Sequence, residues 1–288
     1  RDVERSRGLG DVYKRQKEFY EQIPKTRLMR RTPVAIRIDG KAFHTFTKGF
    51  RKPFDAVLTS AMQETMKYLC ENIQGCVLGY TQSDEITLIL VDYKKLNSDA
   101  WFDYEVQKMC SVAASMATMI FNKVFRSTIE RYNIGWKNSL TPQSVEIQLE
   151  HQEYMRTLRI ANARGAMFDA RVFNIPKEEV TNLIYWRQLD AIRNSIQMVG
   201  QANFSHSELQ GKCSSEILEM LISQKGIDWN ELPVYLQRGS CCIKDCEETE
   251  REDGSIHFKH YWFVDLNIPI FKEEGRLYIE DLIQPVEF

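Results

Sequence analysis

Between residues 34 and 174 the apolar pattern switches between strand-like runs and helix-like stripes in an order that few folds accept. Val34-Ala35-Ile36-Arg37-Ile38 is a short apolar run behind Pro33 that ends at Asp39-Gly40, the pattern of a buried strand with a tight turn after it. Leu58, Met62, Met66, Leu69 and Ile73 recur at helical spacing and predict an amphipathic helix over roughly 54–73. Two apolar stretches follow, Cys76 to Tyr80 and Ile86 to Val91. The polar tip Thr81-Gln82-Ser83-Asp84-Glu85 between them makes a hairpin. Phe102, Val106, Met109, Ala113, Met116 and Ile120 step by fours and threes and mark a second helix. Ala170 to Asn174 is a further strand, ended by Ile175-Pro176. The order β-α-β-β-α-β is the split βαβ arrangement of ferredoxin-like folds. It predicts the α+β class, an antiparallel sheet with helices on one face.

The remaining segments are expected to decorate that sheet. Residues 127–165 are charged, include one proline, and read as helical insertions over it. Beyond Pro176 a long helix is expected, with Tyr185, Leu189, Ile192, Ile196 and Val199 on its apolar stripe and Arg187, Asp190, Asn194 and Gln197 opposite. The tail from 239 reads as β-hairpins around the turn pair Asp253-Gly254. The chain therefore divides into a main domain over 17–175 and a helix-and-hairpin lobe over 176–288. Its 288 residues, 43% hydrophobic, suffice for one substantial core with an appended lobe.

Nothing in the sequence has the run of about eighteen apolar residues that a membrane span needs, and the charged N-terminus does not read as a secretory signal. Seven cysteines without framework spacing read as reduced, cytoplasmic thiols, most of them filling the core. A net charge of −2 argues against a nucleic-acid coat protein, but leaves room for an enzyme with one local basic groove. Residues 1–16 stand apart. Asp11-Val12-Tyr13-Lys14-Arg15-Gln16 back-translates to GATGTGTATAAGAGACAG, which looks like the end of a sequencing-library transposon adaptor. The segment is set aside from the fold as an assembly artefact.

The fold order makes the chemistry readable. In such a sheet the end of the first strand and the tip of the central hairpin lie side by side, which brings Asp39 to Asp84-Glu85. Converging carboxylates repel unless a cation sits between them, and oxygen donors of this kind suit Mg²⁺ together with substrate phosphates. Taken singly, Asp39-Gly40 is an ordinary turn and Asp84 an ordinary hairpin tip; it is their convergence that points to a metal pair able to activate a hydroxyl and stabilise pyrophosphate. Gly40 lets the backbone fold tightly, so the amides of Lys41, Ala42, Phe43 and His44 can face a triphosphate. Lys48, Arg51 and Lys52 follow and supply positive charge, or else form a solvated basic loop.

Arg37-Ile38-Asp39-Gly40-Lys41-Ala42-Phe43-His44, Gln82-Ser83-Asp84-Glu85 and Phe168-Asp169-Ala170-Arg171-Val172 resemble, in order, motifs of the tRNA-histidine guanylyltransferase superfamily. Trp186-Arg187-Gln188-Leu189-Asp190 and Arg238-Gly239 extend the resemblance, which covers about 20–286. It implies a palm domain like that of polymerases and nucleotide addition in the 3′–5′ direction. In that chemistry the 3′-hydroxyl of an NTP attacks an RNA 5′ end activated as a triphosphate or with ATP or GTP. It also implies that Asp39, the Gly40 carbonyl and Asp84 hold two Mg²⁺, with Glu85 essential beside them. Lys41 to His44 would line the triphosphate, with Ser83 and Lys52 nearby, and Arg187, Arg193, Asn194 and Lys212 would contact tRNA. Relatives form tetramers, so a homo-tetramer is expected.

One departure matters. Members specific for histidine tRNA carry His-Ile-Asn-Asn on the helix after Trp-Arg-Gln, where this chain has Ile192-Arg193-Asn194-Ser195. That pattern is similar to the bacterial-type guanylyltransferase-like branch, which repairs truncated 5′ ends by templated addition. Addition of a single G to histidine tRNA is the alternative. A palm-fold nucleotide cyclase or diguanylate synthase would need a Gly-Gly-Asp/Glu tip in place of Gln82-Ser83-Asp84-Glu85, and a catalytically dead RNA-binding module would have lost a carboxylate. Cys242, Cys246, His257 and His260 have a loosely zinc-like spacing, but two histidines three apart in a strand face opposite sides. Tyr261, Trp262 and Phe263 read as hairpin core.

Overall fold

The computed structural model describes residues 10–95, 97–138, 144–250 and 256–285. In chain order it contains β1 (Val34–Gly40), the one-turn helix α1 (Phe43–Phe46), α2 (Ala56–Asn72), β2 (Cys76–Gln82) and β3 (Glu85–Leu90). Then come α3 (Val106–Lys137), α4 (Val145–Arg164), β4 (Phe168–Asn174), α5 (Val180–Asn203), β5 (Ser240–Glu250) and β6 (Ile256–Asp265). The strands form one six-stranded sheet in the order β4-β1-β3-β2-β5-β6. Every pairing in it is antiparallel, so the chain is α+β, as its pattern predicts.

Both faces of the sheet are covered, which is why the strands read as continuous apolar runs and not as strict alternation. Val34, Ile36 and Ile38 of β1 and Ile86, Leu88 and Leu90 of β3 join one core with α2 and α3. Ala35, Leu78, Tyr80 and Ile89 face the other side, against Val180 and Ile184 of α5 and Phe271 and Ile279 of the tail. Helix α2 begins where Asp55 accepts from the amides of Val57 and Leu58 at 3.1 and 3.0 Å, a side-chain N-cap.

Three expectations are revised. Phe102 is not in the second helix: it lies in a turn with positive φ at Phe102, Asp103 and Tyr104, and α3 starts at Val106. The buried stripe of α5 is rotated from the apolar one, because Leu189 is exposed while Arg187, Gln188 and Ser195 are buried. Each of these is satisfied inside the protein. Gln188 donates to the Pro269 carbonyl and accepts from the Phe271 amide, and Ser195 donates to the Leu236 carbonyl and accepts from the Trp229 indole. The tail hairpin does not stand apart from the main sheet either, since Gly79, Tyr80 and Thr81 of β2 pair with Cys242, Cys241 and Ser240 of β5.

The insertions expected over 127–165 are helical: α3 runs on to Lys137 and α4 begins at Val145, with 139–143 outside the described residues. On β6, Trp262 packs into the core and Tyr261 faces out. The turn pair Asp253-Gly254 lies outside the described residues, as do 1–9 of the suspect N-terminal segment; residues 10–16 are exposed. All seven cysteines are free thiols, and Cys70, Cys76, Cys241 and Cys242 are buried. Among the described residues no helix is long and apolar enough to cross a membrane.

Candidate active site

Sheet register sets the site. Asp39 is directly opposite Glu85 of β3 and Asp169 of β4, and two residues back Arg37 is opposite Thr87 and Arg171. Paired residues share a face, so the α5 side of the sheet carries an acidic row at its edge and a basic row behind it. Gln82 pairs with Glu85, which leaves Ser83-Asp84 as a two-residue loop with Ser83 at φ 55°. Asp84 thereby overhangs the acidic row.

The carboxylates are not equivalent. Glu85 is ion-paired with Arg187 of α5 and lies 3.5 Å from Arg37. Asp169 has Arg171 at 4.0 Å. Among the described residues, neither Asp39 nor Asp84 has a cationic partner within the 4.0 Å of an ion pair. Burial raises the Asp84 carboxyl above its usual range, and the charges of Asp39 and Glu85 add to this. The Ser83 hydroxyl, donating at 3.0 Å, opposes it. Two adjacent acids without a countercharge, open on the substrate side, are the donor set a hard divalent cation fits. Gly40 completes the corner: a Cβ there would sit 2.2 Å from Cδ2 of Phe43, whose ring is held by Phe46, Phe121 and Phe168.

A cleft of about 280 Å³ opens beside Asp84, with His44, Thr47, Arg51, Lys52 and Ser83 on its walls. Arg51 is fixed in place, its Cζ 4.3 Å from the ring centre of Tyr154 and 5.5 Å from that of Tyr132. Tyr154 in turn donates to Asp55 Oδ2 at 2.7 Å, and the Arg51 amide donates to the same oxygen at 3.1 Å. A second pocket of about 80 Å³ shares Asp55, Leu58, Ser83 and Met198 with the cleft, and Phe54, Met62, Gln63, Gln82 and Tyr235 are among its other walls. The cleft is basic, and the pocket beside it sets Gln63, Gln82 and Ser240 among its apolar walls, so the pair offers charge, hydrogen bonds and apolar surface side by side.

The structure gathers some predicted residues and separates others. His44, Lys52, Ser83 and Asp84 meet at the cleft, and Phe43 borders it while its side chain belongs to the core. Lys41 and Ala42 border a different hollow, with Arg164, and the Lys41 amide donates to the Met167 carbonyl at 2.9 Å, which removes it from a phosphate cradle. The four cations and amides expected to meet RNA are mostly engaged within the protein. Arg187 is buried on Glu85 and lies 3.6 Å from Asp190; Arg193 and Asn194 both bond Asp190; Lys212 is 3.4 Å from Glu216. Arg187 is therefore corrected from an RNA contact to an internal ion pair. Sequence reasoning missed Asp55 and Tyr154. An acid directly before an apolar helical stripe was the signal for Asp55, whereas Tyr154 acts across 99 residues of chain and left none.

The family model described as Thg1, tRNAHis guanylyltransferase, matches residues 13–176. A bacterial tRNA(His) guanylyltransferase (Thg1)-like protein solved in complex with ATP is 38% identical, with coverage of 96% of this chain and 99% of that one and a TM-score of 0.72. A structure of the same description in complex with GTP is 36% identical, covering 96% and 98%, with a TM-score of 0.69. The tRNA(His) guanylyltransferase of Schizosaccharomyces pombe is 27% identical over 255 residues, 83% of this chain and 84% of that protein. Fold, site and likeness together make the chain a nucleotidyltransferase. It belongs to the Thg1 family of tRNA(His) guanylyltransferases.

Proposed function

We propose that this chain is a template-directed 3′–5′ nucleotidyltransferase that restores missing nucleotides at the 5′ end of truncated tRNA. The carrying observation is the closeness of Asp39 to Asp84, neither ion-paired among the described residues, with Asp84 on the wall of a basic cleft. Asp39, Asp84 and the Gly40 carbonyl would hold two Mg²⁺, which when bound supply an activated hydroxyl and stabilise the leaving pyrophosphate. His44, Arg51 and Lys52 bind and orient the triphosphate of an incoming or activating ATP, GTP or other NTP, helped by the amides of Phe43 and His44. The pocket between Leu58 and Tyr235, with Gln63 and Gln82 as hydrogen-bonding groups on its wall, receives the base. Glu85, clamped by Arg187 and Arg37, keeps β1 and β3 aligned so that the two aspartates face one point. Residues 17–175 carry this palm; from 176–288, α5 and the tail cover its second face while β5 and β6 extend its sheet. A homo-tetramer in the cytoplasm belongs to the same reading.

Templated repair is favoured over addition of a privileged G by the state of residues 192–195. Ile192 packs into a helical core cluster, and Ser195 is buried in bonds to Leu236 and Trp229. Arg193 and Asn194 are left, both tied to Asp190. With none of residues 192–195 set aside for one guanine, selection falls to pairing between the incoming NTP and the opposing base. The test is a set of four truncated tRNAs that differ only in that opposing base, each offered all four NTPs with Mg²⁺. Complementary addition in each case supports repair. Addition of G whatever the template base would replace it with the histidine-tRNA reaction.

A further inference from the structure

Trp186 is an oddity of α5. It is 52% exposed, yet two arginines hold it, with Cζ of Arg187 4.7 Å and Cζ of Arg37 5.8 Å from its ring. Both guanidiniums are themselves anchored on Glu85. The indole is therefore fixed before anything binds, with about half its surface open to solvent. Arg37 is two residues behind Asp39, about 7 Å along the strand. Arg171, whose side chain is 67% exposed, lies opposite Arg37 on the edge strand β4.

A rigid aromatic face beside exposed positive charge, one strand repeat from the acidic pair, has the make-up of a nucleobase platform. We propose that Trp186 stacks the terminal base of an RNA duplex end and so sets how far that end enters the Asp39–Asp84 site, with Arg171 contacting the adjoining phosphate. The inference rests on the RNA-end reading above and adds to it the residue that recognises the end as an end. The cleft holding His44, Arg51 and Lys52 takes no part in it. Pre-ordering by Glu85 matters here, because a ring already fixed loses little freedom on stacking.

The experiment compares two labelled RNAs by fluorescence anisotropy in EDTA without nucleotide: a blunt-ended acceptor-stem hairpin, and the same stem closed at both ends by loops. Trp186→Ala should bind the blunt RNA roughly tenfold more weakly than the wild type, the loss typical of one stacked base. It should bind the closed RNA unchanged, and Trp186→Phe should recover most of the loss. Arg171→Gln should flatten the dependence of log affinity on log salt by about one unit. Equal binding of blunt RNA by wild type and Trp186→Ala would overturn the platform, as would equal losses on blunt and closed RNA or a Phe variant no better than Ala. If the wild type bound neither RNA, the RNA-end reading itself would fall and take the platform with it. A blunt-specific loss confined to the Ala variant separates the two.

Discussion

Arg187 is the residue whose role changed most between sequence and structure, and its replacement gives a quantitative test. Its side chain is 9% exposed and bound to Glu85, which is 27% exposed and has Arg37 at 3.5 Å as a second partner. At an effective dielectric of about 20, unit charges about 4 Å apart interact by roughly 4 kcal/mol. Breaking a buried pair by removing one member typically costs about 3–5 kcal/mol. Arg37 remains to compensate Glu85, so Arg187→Met, which keeps the apolar stem, should destabilise the protein by about 2–3 kcal/mol. Adding Glu85→Gln removes the stranded charge, so the double variant should be less unstable than the sum of the singles by about 1–2 kcal/mol. Urea unfolding of the four proteins, followed by circular dichroism, measures the cycle. A coupling under about 0.5 kcal/mol would refute the internal pair. So would an Arg187→Met protein of normal stability with weakened RNA binding, which would return Arg187 to the surface role its sequence position suggests.

Asp84 has a raised carboxyl pKa, so in the metal-free protein its charge opposes folding: stability is complete below the unfolded pKa and falls as pH rises through the folded one. Asp84→Asn should therefore melt higher than wild type at pH 7 in EDTA, with the gap closing at acid pH, while nucleotide addition drops by roughly a thousandfold or more; melts that run parallel at every pH would contradict this. Gly40→Ala forces a methyl against the Phe43 ring at 2.2 Å and should cost about 1–3 kcal/mol in urea unfolding. Phe43→Leu should relieve part of that cost in the double variant. A chain starting at Lys17 should keep the melting temperature and activity of the full sequence, because residues 10–16 are exposed throughout; a sharp drop in either would make that segment part of the native structure.

The sheet was legible because its strands are short apolar runs broken at Asp39-Gly40 and at the polar tip Thr81 to Glu85, which the structure narrows to Ser83-Asp84. Once β1 and β3 are antiparallel neighbours, the end of β1 comes beside the hairpin tip, and the observed register sets Asp39 against Glu85. The aspartate pair could thus be placed from the order of elements alone. The face of α5 was not legible. Of the apolar stripe, Ile196 and Val199 are buried but Leu189 is exposed, and the helix also packs on Arg187, Gln188 and Ser195, whose bonds go to carbonyls at 236 and 269 and to a carboxylate at 85. Burial of a polar side chain depends on partners far away in sequence, and no local period reports them. Arg51 was visible as a basic residue, whereas its cage of Tyr132 and Tyr154 comes from helices separated by the segment 139–143 and could not be inferred.

Seen along the strand direction, the α5-side face of β4, β1 and β3 runs from acid at the rim (Asp169, Asp39, Glu85) through a row with Arg171 and Arg37 to an apolar row of Phe173, Ala35 and Ile89. This order has a physical consequence. The apolar row anchors α5, and α5 carries Arg187 to the rim at a fixed height, where it neutralises Glu85 and no other member of the row. Had Arg187 or Arg37 reached Asp39 instead, the carboxylate would be satisfied within the protein, and a cation would have to displace an ion pair to bind. Holding the Asp84 carboxylate partly buried costs stability, visible in a pKa raised by burial and further by the charges of Asp39 and Glu85, and a bound cation would relieve that cost. Glu85 then matters as the residue that draws the nearby arginines away from the acidic pair. It follows that exchanging Glu85 for a neutral residue should harm catalysis by freeing Arg37 and Arg187 to approach Asp39, a different route from the loss of a ligand.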